Sequence, residues 1–225
     1  MVDLTEEHKQ HGGAVEQLVI NVSSTETRAA LVVGQTLRDL QIDRAQHRSL
    51  TGNVYRGKVV RVIGGIQAAF VDIGQQRHGF LHAADVTVKP LMVAQPGSDE
   101  KRVDIRKLLH EGQEVVGQVV KDAIEGKGAK LTMSLSVATN ALVLTQRPGQ
   151  LGISRRIEST AERQRLKDIL SRQLADTDFG LIVRTASDGA SEEGLTEAFV
   201  RLCDSWNELL QNIDSSKQQN APCLI

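Results

Sequence analysis

The stretch from Asn53 to Val86, NVYRGKVVRVIGGIQAAFVDIGQQRHGFLHAADV, leaves this chain the fewest folds. Its apolar residues gather in three short runs, Val54 to Ile63, Gln67 to Ile73 and His78 to Leu81, with glycines between them. That is the pattern of short β-strands joined by tight turns. Alternation sets Ala69, Val71 and Ile73 on one face of the second run, and Ala68, Phe70 and Asp72 on the other. In the third run Gly79 and Leu81 face inward, while Phe80 shares the outer face with His78 and His82. Two outward phenylalanines on neighbouring strands form a platform on which bases stack whatever their sequence. The first run adds Tyr55, Arg56, Lys58 and Arg61. Together these features predict a small OB-type barrel that binds single-stranded RNA. The competing reading makes either phenylalanine a core residue, because a slip of one position exchanges the faces. Three of the chain's six aromatic residues (Tyr55, Phe70, Phe80) fall in this window, which favours the surface reading.

Charge confines any nucleic-acid site to a local patch, since the 225 residues carry a formal net charge of only −1. Cys203 and Cys223 have neither metal-site spacing nor a disulfide framework, so a reducing cytoplasm is the expected setting. The N-terminal MVDLTEEHKQHGGAVEQ lacks the apolar core of a signal peptide, and residues 1–16 are expected to be disordered. No run approaches the roughly 20 apolar residues of a membrane span.

In chain order, residues 17–50 supply β-rich runs at Leu18 to Val22, Thr27 to Val33 and Thr36 to Ile42, a meander too small to cover its own apolar face. The barrel is expected over 51–137, interrupted after Val86 by a long surface loop and a short helix from Asp104 to His110. It continues through strands Glu114 to Lys121 and Lys130 to Leu135. Lys127 sits in the glycine-rich turn between them, either as a solvated loop lysine or as a phosphate contact at the barrel mouth. A small α/β module follows over 138–213, with a strand at Ala141 to Thr145 and a basic loop carrying Arg147, Arg155 and Arg156. Ser159 and Glu162 have capping-box spacing before a helix over Thr160 to Leu174. A strand over Phe179 to Thr185 and a helix over Glu192 to Ile213 complete it, with Trp206 on the helix's apolar stripe. Residues 214–225 read as a polar tail cut short after APCLI. Arg184, at the end of an apolar strand and before a helix, is suited to clamp an anion with the Thr185 hydroxyl beside it. It could equally neutralise Asp188, Glu192 or Glu193.

NVYRGKVVRV, QAAFVDIG, HGFLHAADV, GQEVVGQVVKD, GKGAKLT, GISRRIE and GLIVRTA, in this order, resemble the N-terminal half of the ribonuclease E/G family. The resemblance implies an α+β architecture: an S-one-type OB domain, a partial ribonuclease-H-like meander and a five-prime-sensor module. It implies that Phe70, Phe80 and Lys127 hold single-stranded RNA, and that Arg184, Thr185, Val143 and Thr139 form the five-prime-phosphate site. Thr139 stands where the family often has glycine. The family's magnesium-binding catalytic carboxylates and its zinc-linking Cys-Pro-x-Cys segment are expected beyond Ile225, so no catalytic or metal-ligating residue is assigned in this chain. The isolated chain is expected not to cleave RNA. The implied role is RNA processing and decay in the bacterial cytoplasm, with self-association through the open N-terminal strands. Two other readings stay open, a stand-alone non-catalytic RNA-binding protein and a ribosome-associated OB protein. A reading frame continuing into the nuclease motifs separates them.

Overall fold

The computed structural model describes residues 15–44, 49–87, 103–124, 126–175 and 177–225. These residues fall into two compact units, divided between Ser49 and Leu50. Most of the expected N-terminal tail and nearly all of the expected inserted loop lie outside the described residues.

The first unit is an antiparallel meander of β1 (Glu16–Val22), β2 (Glu26–Val33) and β3 (Thr36–Arg44). Gly34 (φ 62°) makes the second turn, and its N–H donates to the Val15 carbonyl at 3.0 Å. Leu18, Val22, Leu37 and Leu40 are all exposed on this sheet.

The second unit begins with the barrel. Strands β4 (Val54–Ile63), β5 (Ala68–Asp72) and β6 (Gly79–His82) form an antiparallel run. The short helix α1 (Ile105–Leu108) follows, then β7 (Glu114–Lys121) and β8 (Lys130–Thr132). β8 runs parallel to β6 and antiparallel to β7, and β7 returns to β4, so five strands close on themselves. Closure removes the open edges that a sheet this small would otherwise expose. Val59, Ala69, Val71, Leu81, Val119 and Leu131 fill the interior, and α1 plugs one end with Ile105 and the following Leu109. Gln67 clasps that plug. Its amide donates to the Gly64 carbonyl at 2.6 Å and accepts from the Ile105 N–H at 2.9 Å, which holds it at the left-handed φ of 51°.

The α/β module has β9 (Ser136–Ala138), β10 (Leu142–Thr145), β11 (Leu151–Ile153), α2 (Thr160–Leu174), β12 (Gly180–Val183) and α3 (Glu192–Ser216). Its sheet runs β11-β12-β10-β9, with β11 parallel to β12. Leu166, Ile169, Leu170 and Leu174 of α2 pack with Leu195, Phe199, Leu202 and Trp206 of α3 in one core. Each such side chain contributes about 1.5–3 kcal/mol by leaving water. Trp206 is a core residue, as its place on the stripe predicts.

Contacts at several points tie this module to the barrel. Buried Gln118 of β7 donates to the carbonyls of Gly52 and Ser136 and accepts from the Ser136 N–H. The terminal segment, read from sequence as a polar tail ending in APCLI, returns to the barrel. There β13 (Cys223–Leu224) pairs with Arg56 and Tyr55 of β4, after a cis Ala221–Pro222 bond. β9, β11 and β13 are only two or three residues long, and no alternating run in the sequence marks them.

Candidate nucleic-acid interface

Alternation on β5 and β6 places Phe70 and Phe80 as expected, on the outer barrel face and directly opposite each other. The half-buried rings meet edge to face, with centroids 6.0 Å apart and planes at 71°. That arrangement suits the quadrupoles of the two rings and leaves π-surface turned to solvent. The segment carrying Lys127 runs beside them. Phe80 donates its N–H to the Ala129 carbonyl at 2.8 Å, and Lys127 donates its own to the Ile124 carbonyl at 2.7 Å. The Lys127 side chain is exposed.

Two residues assigned to this face from sequence lie elsewhere. Tyr55 is a core residue, 4% exposed, whose hydroxyl meets the Asn53 amide at 3.4 Å. On β4, Tyr55 shares the inward alternation of Gly57 and Val59, so its ring faces the barrel interior rather than bases. Arg56 points outward, but its guanidinium is engaged. It pairs with Glu114 of β7, and Nη1 donates to the Ser216 carbonyl at the end of α3 at 2.6 Å. Arg56 therefore joins the barrel to the α/β module. Lys58 is exposed, with Asp72 and Glu114 as its cross-strand neighbours.

A second site lies at the end of β12. A cleft of about 440 Å³ is lined by Asn140, Ser154, Arg156, Ile182, Arg184 and Thr185, among others. Arg184 Nη1 donates to the Thr139 carbonyl at 2.9 Å, and its backbone N–H donates to the Ala141 carbonyl at 2.8 Å. Among the described residues Arg184 forms no ion pair. The acids proposed as its partners are otherwise placed, since Glu192 meets Arg172 at 3.1 Å and no bond joins Arg184 to Asp188 or Glu193. Its charge therefore has no carboxylate partner among the described residues. The Thr185 hydroxyl lies 3.0 Å from that of Ser154. Ser154 directly follows β11, and its N–H donates to the Val183 carbonyl. Val143 and Ile182 are register partners and share a sheet face with apolar surface beside the cleft. The Thr139 side chain is used internally, as its hydroxyl both accepts from the Leu142 N–H and donates to the Leu142 carbonyl. Its carbonyl, not its side chain, reaches the site.

The loop after Thr185 is braced from α2. Glu162 accepts from Arg165 at 2.6 Å and from the Gly189 N–H at 3.0 Å, while Arg165 also donates to the Ala190 carbonyl. The Arg165 guanidinium, reinforced by the Gly189 N–H, holds the Glu162 carboxyl down to about 2, from an ordinary 4.5. A lowered folded-state value means this brace contributes fully above about pH 4.5 and is lost as pH falls towards 2. Glu162→Gln is accordingly expected to flatten the loss of thermal stability across that window. An acid limb as steep as the parent's would show that the brace has no such role.

No group of three or more His, Cys, Asp or Glu side chains among the described residues is placed to hold a metal ion. No helix among them is long and apolar enough to cross a membrane.

Residues 136–225 match the model of the Ribonuclease E/G family. Ribonuclease G of Haemophilus influenzae is 41% identical over 196 residues, which is 87% of this chain and 40% of that protein. Ribonuclease G of Salmonella typhimurium is 39% identical over 198 residues, again 87% of this chain and 40% of that protein. Ribonuclease E of Haemophilus influenzae is 40% identical over 213 residues, 94% of this chain and 22% of that protein. The chain thus spans less than half the length of the curated relatives it matches.

Proposed function

We propose that this chain, which belongs to the ribonuclease E/G family, binds single-stranded RNA and senses its five-prime end within a single-strand-specific endoribonuclease of RNA processing and decay. The observation that carries the reading is the outward-facing, half-buried edge-to-face pair of Phe70 and Phe80 on a closed barrel. Stacked bases need a π-face rather than a sequence-specific hydrogen bond, which suits an enzyme that acts on many RNAs. Lys127 and Lys58 supply charge along the same surface. The setting is the cytoplasm. Among the described residues no further strand pairs with the outer edges of β1 and β3, and these edges with exposed Leu18 and Val22 support self-association.

The cleft at Arg184 and Thr185 binds a terminal monophosphate. A planar guanidinium without a carboxylate partner, two hydroxyls and Arg156 form a donor set for phosphate oxygens. Val143 and Ile182 meet the first base. A five-prime-monophosphorylated oligonucleotide is therefore expected to bind tighter than its five-prime-hydroxyl counterpart. The margin is about 1 kcal/mol, roughly fivefold, because an exposed charge-assisted bond nets less than a buried one. Arg184→Ala should abolish the difference, and Arg184→Lys should restore only part of it, since a point charge lacks the planar fork. Equal affinity of the parent chain for both ends, with RNA binding intact, would reject the sensor.

A further inference from the structure

Two β-bulges re-aim cations onto the phenylalanine face. On β4 the inward positions are Tyr55, Gly57 and Val59, so unbroken alternation would send Arg61 into the core. The register slips between Val59 and Arg61, and Arg61 becomes the outward partner of Phe70. The same device recurs on β7, where the register slips between Val119 and Lys121 and makes Lys121 the outward partner of Lys130. The extra residues, Val60 and Val120, are left 44% and 41% exposed. Bulges serve to redirect a side chain, and here both redirect a positive one. Lys130 is in turn the register partner of Phe80. One row of register partners therefore crosses five strands: Arg61, Phe70, Phe80, Lys130, Lys121.

The row carries a charge conflict. Lys121 and Lys130 are direct cross-strand partners, an arrangement that destabilises a sheet unless an anion answers it. Asp85 answers part of it, meeting Lys130 at 3.0 Å, while Lys121 is exposed. An anion laid along the row would complete the neutralisation.

We propose that Arg61, Lys130 and Lys121 form, with the two phenylalanines, a single track across the strands that holds RNA phosphates on both sides of the stacked bases. The inference rests on the RNA-binding reading above and specifies the path of the strand on that surface. At one strand spacing per step the track is about 19 Å long. Asp85 competes with phosphate for Lys130 and so lowers affinity.

The test is binding of the chain to a labelled five-prime-hydroxyl oligouridine across a salt series, which keeps the terminal-phosphate site out of the measurement. Arg61→Gln and Lys121→Gln should each weaken binding about three- to tenfold. Each should also reduce the slope of log K against log salt by roughly 0.7, the value for one phosphate contact on a single strand. Arg61→Lys should keep the slope. Lys167→Gln removes the same charge from exposed α2 and should change neither quantity. Asp85→Asn should tighten binding a few-fold, and that gain should vanish in a Lys130→Gln background. If Phe70→Ala loses binding while Arg61→Gln and Lys121→Gln behave like Lys167→Gln, the track is refuted and the RNA-binding reading stands. If the phenylalanine variants also bind normally, both fail.

Discussion

Phe70→Ala and Phe80→Ala are each expected to lower the affinity for single-stranded RNA by about 1–3 kcal/mol, or roughly 5- to 150-fold. The size follows from what a base loses when a ring is removed, namely its π-surface and the exclusion of water beneath it. The cost to the fold should be smaller. Both side chains are only half-buried, and the edge-to-face contact between them contributes about 0.5–1.5 kcal/mol. The rings touch, so the double variant should lose less than the sum of the singles. Leucine at either position preserves apolar bulk without a π-face and should recover stability but little affinity. Melting and RNA titration of the parent and these variants decide the matter. A variant that melts far below the parent would mark that ring as core, and full affinity in the double variant would remove the stacking platform altogether.

Gly128→Ala should be among the least tolerated small substitutions in the barrel. A Cβ at position 128 would lie 1.8 Å from the His78 carbonyl oxygen and 2.9 Å from its carbon. Both are backbone atoms of the segment entering β6, so no side chain can swing aside to relieve the clash. Either β6 shifts, or the turn carrying Lys127 separates from it and breaks the Phe80-to-Ala129 hydrogen bond. Overpacking of this kind costs about 3 kcal/mol or more, at the upper end of the usual range. That corresponds to a fall in melting temperature of about 6–12 °C for a domain of this size. Gly65→Ala is the matched control, since nothing lies within 4 Å of its added methyl and its φ is not left-handed. It should stay within about 0.5 kcal/mol of the parent. Equal melting temperatures for the two variants would show that the close approach at Gly128 is not a constraint. Because Lys127 and Phe80 hang on the same contact, Gly128→Ala should also weaken RNA binding.

What the sequence determined by itself was local and periodic. Period-two alternation turned Phe70 and Phe80 outward and Val71 and Leu81 inward, because a pleated strand offers each side chain only two directions. The apolar stripes of α2 and α3 foretold Leu166, Leu170, Leu202 and Trp206 as core, and Ser159 capped its helix through the Glu162 N–H at 3.3 Å as its spacing implies. Arg184 and Thr185 stood out as the charged end of an apolar run. Tertiary structure decided the rest, because it turned on partners far away in the chain. Tyr55 is buried because β7 closes the barrel over it, and Arg56 is engaged because Glu114 of β7 and the end of α3, 160 residues later, lie beside it. The bulges that turn Arg61 and Lys121 outward exist only in the pairing with β5 and β8, so alternation alone predicts the wrong face for both. Ser154 reaches Thr185 through a three-residue parallel pairing that no local pattern announces. The glycines divide in the same way. Gly126, with φ 79°, is the turn residue that its neighbourhood suggests. Gly128 is glycine because another strand's carbonyl occupies the space of its side chain, a fact that exists only once the two strands have met.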